Sequence, residues 1–268
     1  MDLRNRCAIV TGAGHGIGRA LAERLAVEGA KVVVADVHEA RAEKIADRIG
    51  GTAFVGDVSD PDTVRAMVQA AVDAYGPVHV CCSNAGIGDV GPDLASTPEQ
   101  VERIVGVNLL AHVWAAQEVV PAMLEAGEGY LVQTISSAAL ITGPSGMGYT
   151  LTKHGALGFA EWLALTYAHR GLSVTCLCPN AVYTGMLGRD EDAEDTSAGP
   201  DDEFLARIGD VVEPELVADM ALDAMAERRF LVLPHPRVGE SFQRKAGDYD
   251  RWLDGTNRRL RRMRGEDV

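Results

Sequence analysis

Short apolar runs alternate with longer segments of helical period along most of the chain, and no other feature restricts the fold as strongly. Cys7–Val10, Lys31–Ala35, Ala53–Val55, Val78–Cys82, Tyr130–Ile135, Leu172–Cys178 and Phe230–Leu233 read as strands, with helical patterns filling the gaps. The runs are largely continuous in apolar residues, the pattern of a strand covered on both faces. Intervening helices supply that cover. The spacing predicts an α/β protein with a doubly wound, parallel, seven-stranded sheet and helices on both faces.

Helix punctuation agrees with this. Ser59-Asp60-Pro61-Asp62 and Thr97-Pro98-Glu99-Gln100 each offer a hydroxyl cap, an early proline and a carboxylate or amide in the first turn. Gly29, Gly76, Gly127 and Gly171 fall just past periodic segments, where a left-handed residue closes a helix. No repeat or linker divides the chain, so residues 1–234 read as one domain. Within it Arg189–Glu203 holds eight acidic residues and no strong period, which predicts a mobile loop over about 185–210. Residues 235–268 form an extension ending in Arg258, Arg259, Arg261, Arg262 and Arg264. A nucleic-acid tail is one reading. The preferred one is a helix whose Leu253, Leu260 and Met263 stripe docks on the body or on a partner subunit.

Charge narrows the partners. With 25 Lys and Arg against 39 Asp and Glu the net charge is −14, so no nucleic acid and no anionic membrane is expected. A small molecule is the expected partner. The five cysteines form no C-x-x-C pair and lie in strand-like runs, which predicts buried thiols, no metal site and a reducing, cytoplasmic setting. Met1–Arg6 shows no secretory pattern, and the longest uncharged stretch, Gly129–Lys153, is interrupted by Gly143, Pro144, Gly146 and Gly148.

Thr11-Gly12-Ala13-Gly14-His15-Gly16-Ile17-Gly18 follows the first strand and opens a helix. Such a turn lets backbone approach a pyrophosphate, which then meets the N–H groups at the helix start. A glycine-rich turn alone is weak, but here Asp36 ends the second strand, eighteen residues past Gly18. Its carboxylate suits the adenosine ribose hydroxyls and repels a 2′-phosphate, which favours NAD over NADP. His15 is the one residue of the turn that argues the other way, as a partial cation near neutral pH.

Tyr149 and Lys153 stand one turn apart at the start of a helical pattern, hence on one face. Ser136 ends the fifth strand, thirteen residues before Tyr149, and Asn108 lies in the preceding helix. With the glycine turn, this set resembles the short-chain dehydrogenase/reductase family, in its subgroup with T-G-x-x-x-G-x-G and Y-x-x-x-K motifs. The resemblance spans residues 3 to about 234 and includes Gly56-Asp57-Val58, Ser83-Asn84-Ala85-Gly86 and Val107-Asn108-Leu109. It implies a Rossmann-type fold and a catalytic set of Asn108, Ser136, Tyr149 and Lys153, with Ser136 preferred to Ser137 by its spacing.

The implied roles have physical grounds. A phenol with a pKa near 10 is a poor base at neutral pH, so Lys153 must stabilise the phenolate of Tyr149. Tyr149 then takes the alcohol proton, Ser136 holds the substrate oxygen, Lys153 also grips the nicotinamide ribose, and Asn108 orders a relaying water. For the cofactor the resemblance implies Gly12, Gly14, His15, Gly16, Ile17, Gly18 and Asp36, then Asp57 and Val58 at the adenine. Asn84, Ala85 and Gly86 follow near the ribose, although Asn84 serves equally well as a tie between strands. Pro179, Val182 and Thr184 match a P-G-x-V-x-T motif at the carboxamide, with Asn180 in place of its glycine.

The substrate is expected to meet Ile87, Ser137, Ala138, Met147, Tyr183, Met186 and Leu187, a mostly apolar wall suited to a neutral secondary alcohol or its ketone. The stretch Glu213–Pro236 resembles members acting on alcohols beside aromatic or alicyclic groups. A nucleotide sensor without chemistry, and a lyase or isomerase on the same frame, are the alternatives. By resemblance the chain forms a dimer or tetramer through Glu99–Glu125 and Tyr149–His169, whose Ala111, Ala115, Gly155 and Gly158 permit close approach; the alternative is that this small face is buried within one chain.

Overall fold

The computed structural model describes residues 1–88, 91, 93–187 and 210–266. The acidic stretch Arg189–Glu203, and residues 188–209 of the loop expected over about 185–210, lie outside the described residues. Strand β1 (Cys7–Thr11) is followed by α1 (Gly16–Val27), β2 (Lys31–Asp36), α2 (Glu39–Ile49), β3 (Thr52–Val55), α3 (Pro61–Tyr75) and β4 (Val78–Ser83). Then come α4 (Pro98–Val105), a π-helical turn at Gly106–Leu110, α5 (Ala111–Ala126), β5 (Gly129–Thr134), α6 (Met147–Tyr167) and β6 (Leu172–Leu177). The chain continues through β7 (Ala181–Val182), β8 (Val211–Val212), α7 (Pro214–Glu227), β9 (Leu231–Val232), α8 (Pro236–Gly247) and α9 (Tyr249–Met263).

The seven strands foreseen form one sheet in the order β3-β2-β1-β4-β5-β6-β9, and every pairing is parallel. The chain winds outward from β1 to one edge and returns to β4 before winding to the other edge. That reversal opens a crevice at the carboxyl ends of β1 and β4. Continuous apolar runs are explained by the two core layers. Ile9, Val33, Cys81 and Leu131 face Met67, Val119 and Leu157 of α3, α5 and α6. Their neighbours Val10, Val34, Cys82 and Val132 face Leu21, Ile45 and Val217 of α1, α2 and α7. Truncating such a residue, for example Leu131→Ala, removes about 2–5 kcal/mol. All five cysteines are free and buried, and burial pushes the Cys7 thiol up to about 11.

Gly29, Gly76, Gly127 and Gly171 all have positive φ, as the closing positions require. Thr97 and Gln100 exchange hydrogen bonds in a capping box. At α3 the hydroxyl expectation is corrected: Asp60 is the cap, accepting from the Asp62 and Thr63 amides, because Pro61 is the first helical residue and leaves the position before it to cap. The single helix expected over Glu99–Glu125 is interrupted by the π-helical turn, which no apolar period marks. The run Pro98–Ala126 is long and apolar enough to cross a membrane, yet it packs as a core helix with 56% of its most apolar stretch buried. Strands β7 and β8, two residues each, pair in a separate parallel ribbon too short to show a period. Helix α8 seats Val238 in the core, while along α9 Leu253 and Met263 are exposed and Leu260 is half-buried.

Candidate active site

Helix α1 sits hard against the turn that precedes it. A Cβ at Gly18 would lie 2.1 Å from the Gly12 carbonyl oxygen, so only glycine lets the helix start here. His15 precedes α1 in extended conformation and its own side chain makes no cap hydrogen bond, while Gly16 and Ile17 of the first turn line the crevice at the positive end of the helix. Asp36, only 6% exposed, accepts from the Gly14 amide at 2.9 Å and from the His38 amide at 3.0 Å, one on each carboxylate oxygen. The same carboxylate that faces the crevice therefore also shapes the turn.

Asn84 ties the strand ends together, its Nδ2 donating to the Thr11 oxygen at 2.9 Å, while the Thr11 hydroxyl accepts from the Asn84 and Ala85 amides. Asp57 accepts from the Ser59 amide at 2.9 Å and from Arg103 of α4 at 2.6 Å. Burial works to raise its pKa, but those hydrogen bonds and the guanidinium charge outweigh it and hold the carboxyl below its ordinary value. Arg103 was not foreseen. No motif announces it, since a lone arginine on a helix reads as solvated.

A cleft of about 290 Å³ runs along these elements. Its nucleotide-side wall includes Gly12, His15, Gly16, Ile17, Asp36, Asp57 and Val58, and its middle Asn84, Ala85, Gly86 and Ile87. Ser136, Tyr149, Lys153, Pro179, Val182, Thr184, Met186 and Leu187 complete it. Gly14 and Gly18 stand behind the wall, where a Cβ would strike Asp36 or Gly12. Of the residues expected at the substrate, Ile87, Met186 and Leu187 line the cleft, whereas Ser137, Ala138, Met147 and Tyr183 do not. Ser137 and Ala138 are buried behind Ser136, and Met147 lines a separate small cavity with Ile104. The first turn of α6 rotates Met147 away when Tyr149 faces inward.

Tyr149 and Lys153 share a face of α6, with the Lys153 Nζ 5.4 Å from the ring centroid. Lys153 is 3% exposed, donates to the Thr134 oxygen at 3.4 Å, and has no carboxylate partner among the described residues. Burial pulls its pKa down to about 8. Ser136 accepts from the Ala138 amide at 3.1 Å, which leaves its hydroxyl proton to donate. Asn108, on the π-helical turn, clamps Ile87 in both directions: Nδ2 donates to the Ile87 oxygen at 2.9 Å and Oδ1 accepts from its amide at 2.8 Å. Gly86 lies between, since a Cβ there would sit 3.5 Å from Asn108 Oδ1 and 3.6 Å from Lys153 Nζ. A positive group beside a phenol favours the phenolate, so this arrangement is suited to moving a proton at the tyrosine oxygen.

Beneath it lies a pair that sequence reasoning missed. His112 of α5 and Gln133 of β5 are buried and hydrogen-bonded to one another through Nδ1 and Oε1. Burial, and then the Lys153 charge, pull the His112 pKa down to about 4, so the ring is neutral. A single histidine on an apolar helix face gives no signal of such a partner.

Comparison with known proteins agrees with this geometry. The family model described as short chain dehydrogenase matches residues 6–195. Cyclohexanol dehydrogenase of Acinetobacter sp. (strain SE19) is 36% identical over 222 residues, 81% of this chain and 86% of the relative. The 1-deoxy-11-beta-hydroxypentalenate dehydrogenase of Streptomyces exfoliatus is 39% identical over 195 residues, 70% of this chain and 71% of the relative. Among solved structures, a short chain dehydrogenase/reductase from Burkholderia phymatum in complex with NAD superposes with a TM-score of 0.82 at 30% identity, covering 93% of this chain and 96% of the other. The chain belongs to the short chain dehydrogenase family.

Proposed function

We propose that the protein is an NAD-dependent oxidoreductase that interconverts a neutral, hydrophobic secondary alcohol and its ketone. The observation that carries this reading is the buried ammonium of Lys153, with no carboxylate partner among the described residues, lying 5.4 Å from the Tyr149 ring in a cleft whose far end is the start of α1. The residues fit a dinucleotide: the first turn of α1 suits a pyrophosphate, and Asp36 retains a free lone pair on each oxygen for ribose hydroxyls. Asp57 and Val58 would flank the adenine, Asn84 to Gly86 with Tyr149 and Lys153 the second ribose, and Pro179, Val182 and Thr184 the carboxamide. When bound, the nicotinamide supplies the centre that accepts or returns a hydride.

The chain's own residues handle the proton and the oxygen. Tyr149 takes the hydroxyl proton as the carbinol carbon is oxidised, and gives it back in the reverse direction. Lys153 steadies the phenolate, and Ser136 donates to the substrate oxygen as charge shifts. Asn108 gives one N–H and one lone pair to Ile87, so a relaying water would take its second N–H, its remaining lone pair or a carbonyl of the π-helical turn. Asp36 supports NAD over NADP because a carboxylate 6% exposed beside a 2′-phosphate is repulsive. The names of the two curated relatives describe alicyclic alcohols, which supports a ring alcohol as substrate.

The test is ultraviolet absorbance of reduced nicotinamide on a panel of cyclic secondary alcohols with NAD and with NADP. Reduced cofactor formed faster with NAD is expected. No reduced cofactor formed with any alcohol, and none consumed with any ketone, would overturn the reading in favour of a sensor, lyase or isomerase.

We also propose a homo-oligomer that pairs through α6. Ala111 and Ala115 sit in the chain's own core, which corrects the expectation that they face a partner. Leu151, Gly155, Gly158, Trp162 and Leu165 instead form an exposed stripe along α6, with Leu165 86% exposed. Sedimentation of Leu165→Glu should show smaller species than the wild type; identical sedimentation would remove α6 from the interface.

A further inference from the structure

The segment Ser136–Leu140 carries Ser136 into the cleft, and it is held from behind by the last part of the chain. Lys245 of α8 is 7% exposed and makes no ion pair among the described residues. Its Nζ donates to the Leu140 oxygen at 2.8 Å and stands 5.4 Å from the Tyr249 ring centroid and 5.1 Å from that of Trp252. An ammonium buried without a carboxylate is costly, and an apolar side chain of similar length would fill the space without that cost. The carbonyl and the two aromatic faces offset the cost only in this one geometry, with α9 folded back on α8.

The other end of the segment is held by a second tie. The Ser137 amide donates to the Pro179 oxygen at 2.7 Å. The Ser137 hydroxyl donates to Asn180 Oδ1 at 3.2 Å, and the Asn180 amide donates to Nδ1 of His235 at 3.1 Å. His235 precedes α8 and is buried, burial holds its imidazole below the ordinary pKa, and the bond from Asn180 makes Nδ1 the accepting nitrogen. Asn180 stands where the resembling motif has glycine, and glycine would leave the Ser137 hydroxyl without this acceptor. The Ser136 Oγ accepts from the Ala138 amide, so the direction of its proton depends on how the turn is held.

We infer that the C-terminal helices are a positioning element of the active site, in which Lys245 and the His235–Asn180–Ser137 chain fix the Ser136–Leu140 segment at its two ends and so set how a substrate oxygen is presented. This rests on the reading of Ser136 as the group that holds that oxygen. Lys245 and His235 touch no reacting atom; they act through the segment. Both lie beyond residues 6–195, the part matched by the family model.

The test compares the full-length wild type with Lys245→Met, which keeps the stem and removes the donor. Amide exchange at Leu140 and Ile141 should quicken about tenfold, the loss of one hydrogen bond to a charged group, while exchange in β1 to β3 and NADH affinity stay as they were. kcat/KM for a cyclic alcohol should fall about tenfold, and the ranking of small against large ring alcohols should change. If Lys245→Met does not fold, Trp252→Ala removes one aromatic face from a half-buried site and should move the same readouts in the same direction. Unchanged exchange at Leu140 and Ile141 overturns the inference. Faster exchange with unchanged kcat/KM and ranking also overturns it, leaving a brace without a part in catalysis. Ser136→Ala run in parallel separates the two readings: if it retains turnover, the assignment of Ser136 fails while exchange still decides the tie.

Discussion

The two walls of the cleft are built by different means. The nucleotide-side wall is made of backbone: a glycine turn, a helix start and one carboxylate bonded to two amides, all within residues 11–38. The opposite wall is made of side chains, Ser136, Tyr149, Lys153 and Asn180, and its backing is held by ties remote in sequence: Asn108 to Ile87, Ser137 to Asn180, Asn180 to His235 and Lys245 to Leu140. Backbone geometry is written locally, in residue types that leave few options. Side-chain geometry is written in the tertiary structure, so that wall can change its substrate while the first keeps its cofactor.

Tyr149→Phe should break the contrast most sharply, because it removes a proton acceptor and leaves the nucleotide wall untouched. Turnover should fall by about 10² to 10⁴, the range for a positioned acid or base, with NADH affinity by fluorescence titration unchanged. Lys153→Ala should lose both, since its ammonium lies between the phenol ring and the Gly86 backbone. Near-normal turnover of the phenylalanine variant would remove Tyr149 from the chemistry.

A second experiment asks whether the catalytic wall stands on the buried His112–Gln133 pair. His112 is 1% exposed, and its pKa falls from 6.5 to about 4 through burial and then the Lys153 charge. Between those values the unfolded chain binds the proton and the folded chain does not, so stability rises with pH there. It is fully present above 6.5 and lost as pH falls toward 4, by on the order of 3 kcal/mol. Denaturant midpoints of the wild type should therefore drop more steeply over that window than those of His112→Gln, which keeps a polar contact without titrating. Parallel curves would mean that His112 does not govern acid stability.

The fold was legible because its signal is local and repeated. Val33 and Val34 are both buried but in opposite layers, and a run apolar at every position announces that without any knowledge of partners. The glycine turn was legible for a related reason, as Gly18 tolerates no Cβ. The π-helical turn at Asn108 was not, because an inserted residue shifts the hydrogen-bond frame without changing composition. Arg103, His112 and Lys245 were invisible for another reason. Each is an ordinary helical residue until Asp57, Gln133 or the Leu140 carbonyl, 46, 21 and 105 residues away, is brought to it. Of the residues expected at the substrate, Ile87, Met186 and Leu187 line the cleft and Ser137, Ala138, Met147 and Tyr183 do not, because which way a loop side chain faces is set by the tertiary packing of its turn.

The backbone-built wall has its own test. Asp36→Ala with Val37→Arg removes a repulsive carboxylate and adds an exposed cation, since Val37 is already 52% exposed. Each substitution should move the NADP to NAD ratio of kcat/KM by on the order of tenfold toward NADP, the worth of about one charge-assisted hydrogen bond. The Gly14 amide loses its acceptor in this variant, so part of the NAD loss reflects the turn itself. A wild type that prefers NADP would assign the phosphate to a cation such as His15.

The smallest expected effect concerns charge on the substrate. Asp190, Glu191, Asp192, Glu194, Asp195, Asp201, Asp202 and Glu203 belong to a stretch without lysine or arginine, in a chain of net charge −14. If that stretch closes over the substrate, its field should disfavour a carboxylate at close range. The apolar residues Ile87, Met186 and Leu187 on the cleft add the cost of desolvating an anion. The two contributions respond differently to salt. Exposed charges are screened beyond about 8 Å at physiological ionic strength, whereas desolvation is not. Comparing kcat/KM for a neutral ring alcohol and its carboxylate analogue at low and high salt should give a neutral preference that shrinks by a few-fold as salt rises, from screening alone. A neutral preference indifferent to salt would assign the choice to the apolar wall, and an anion preferred at low salt would show that neither the acidic stretch nor that wall sets it.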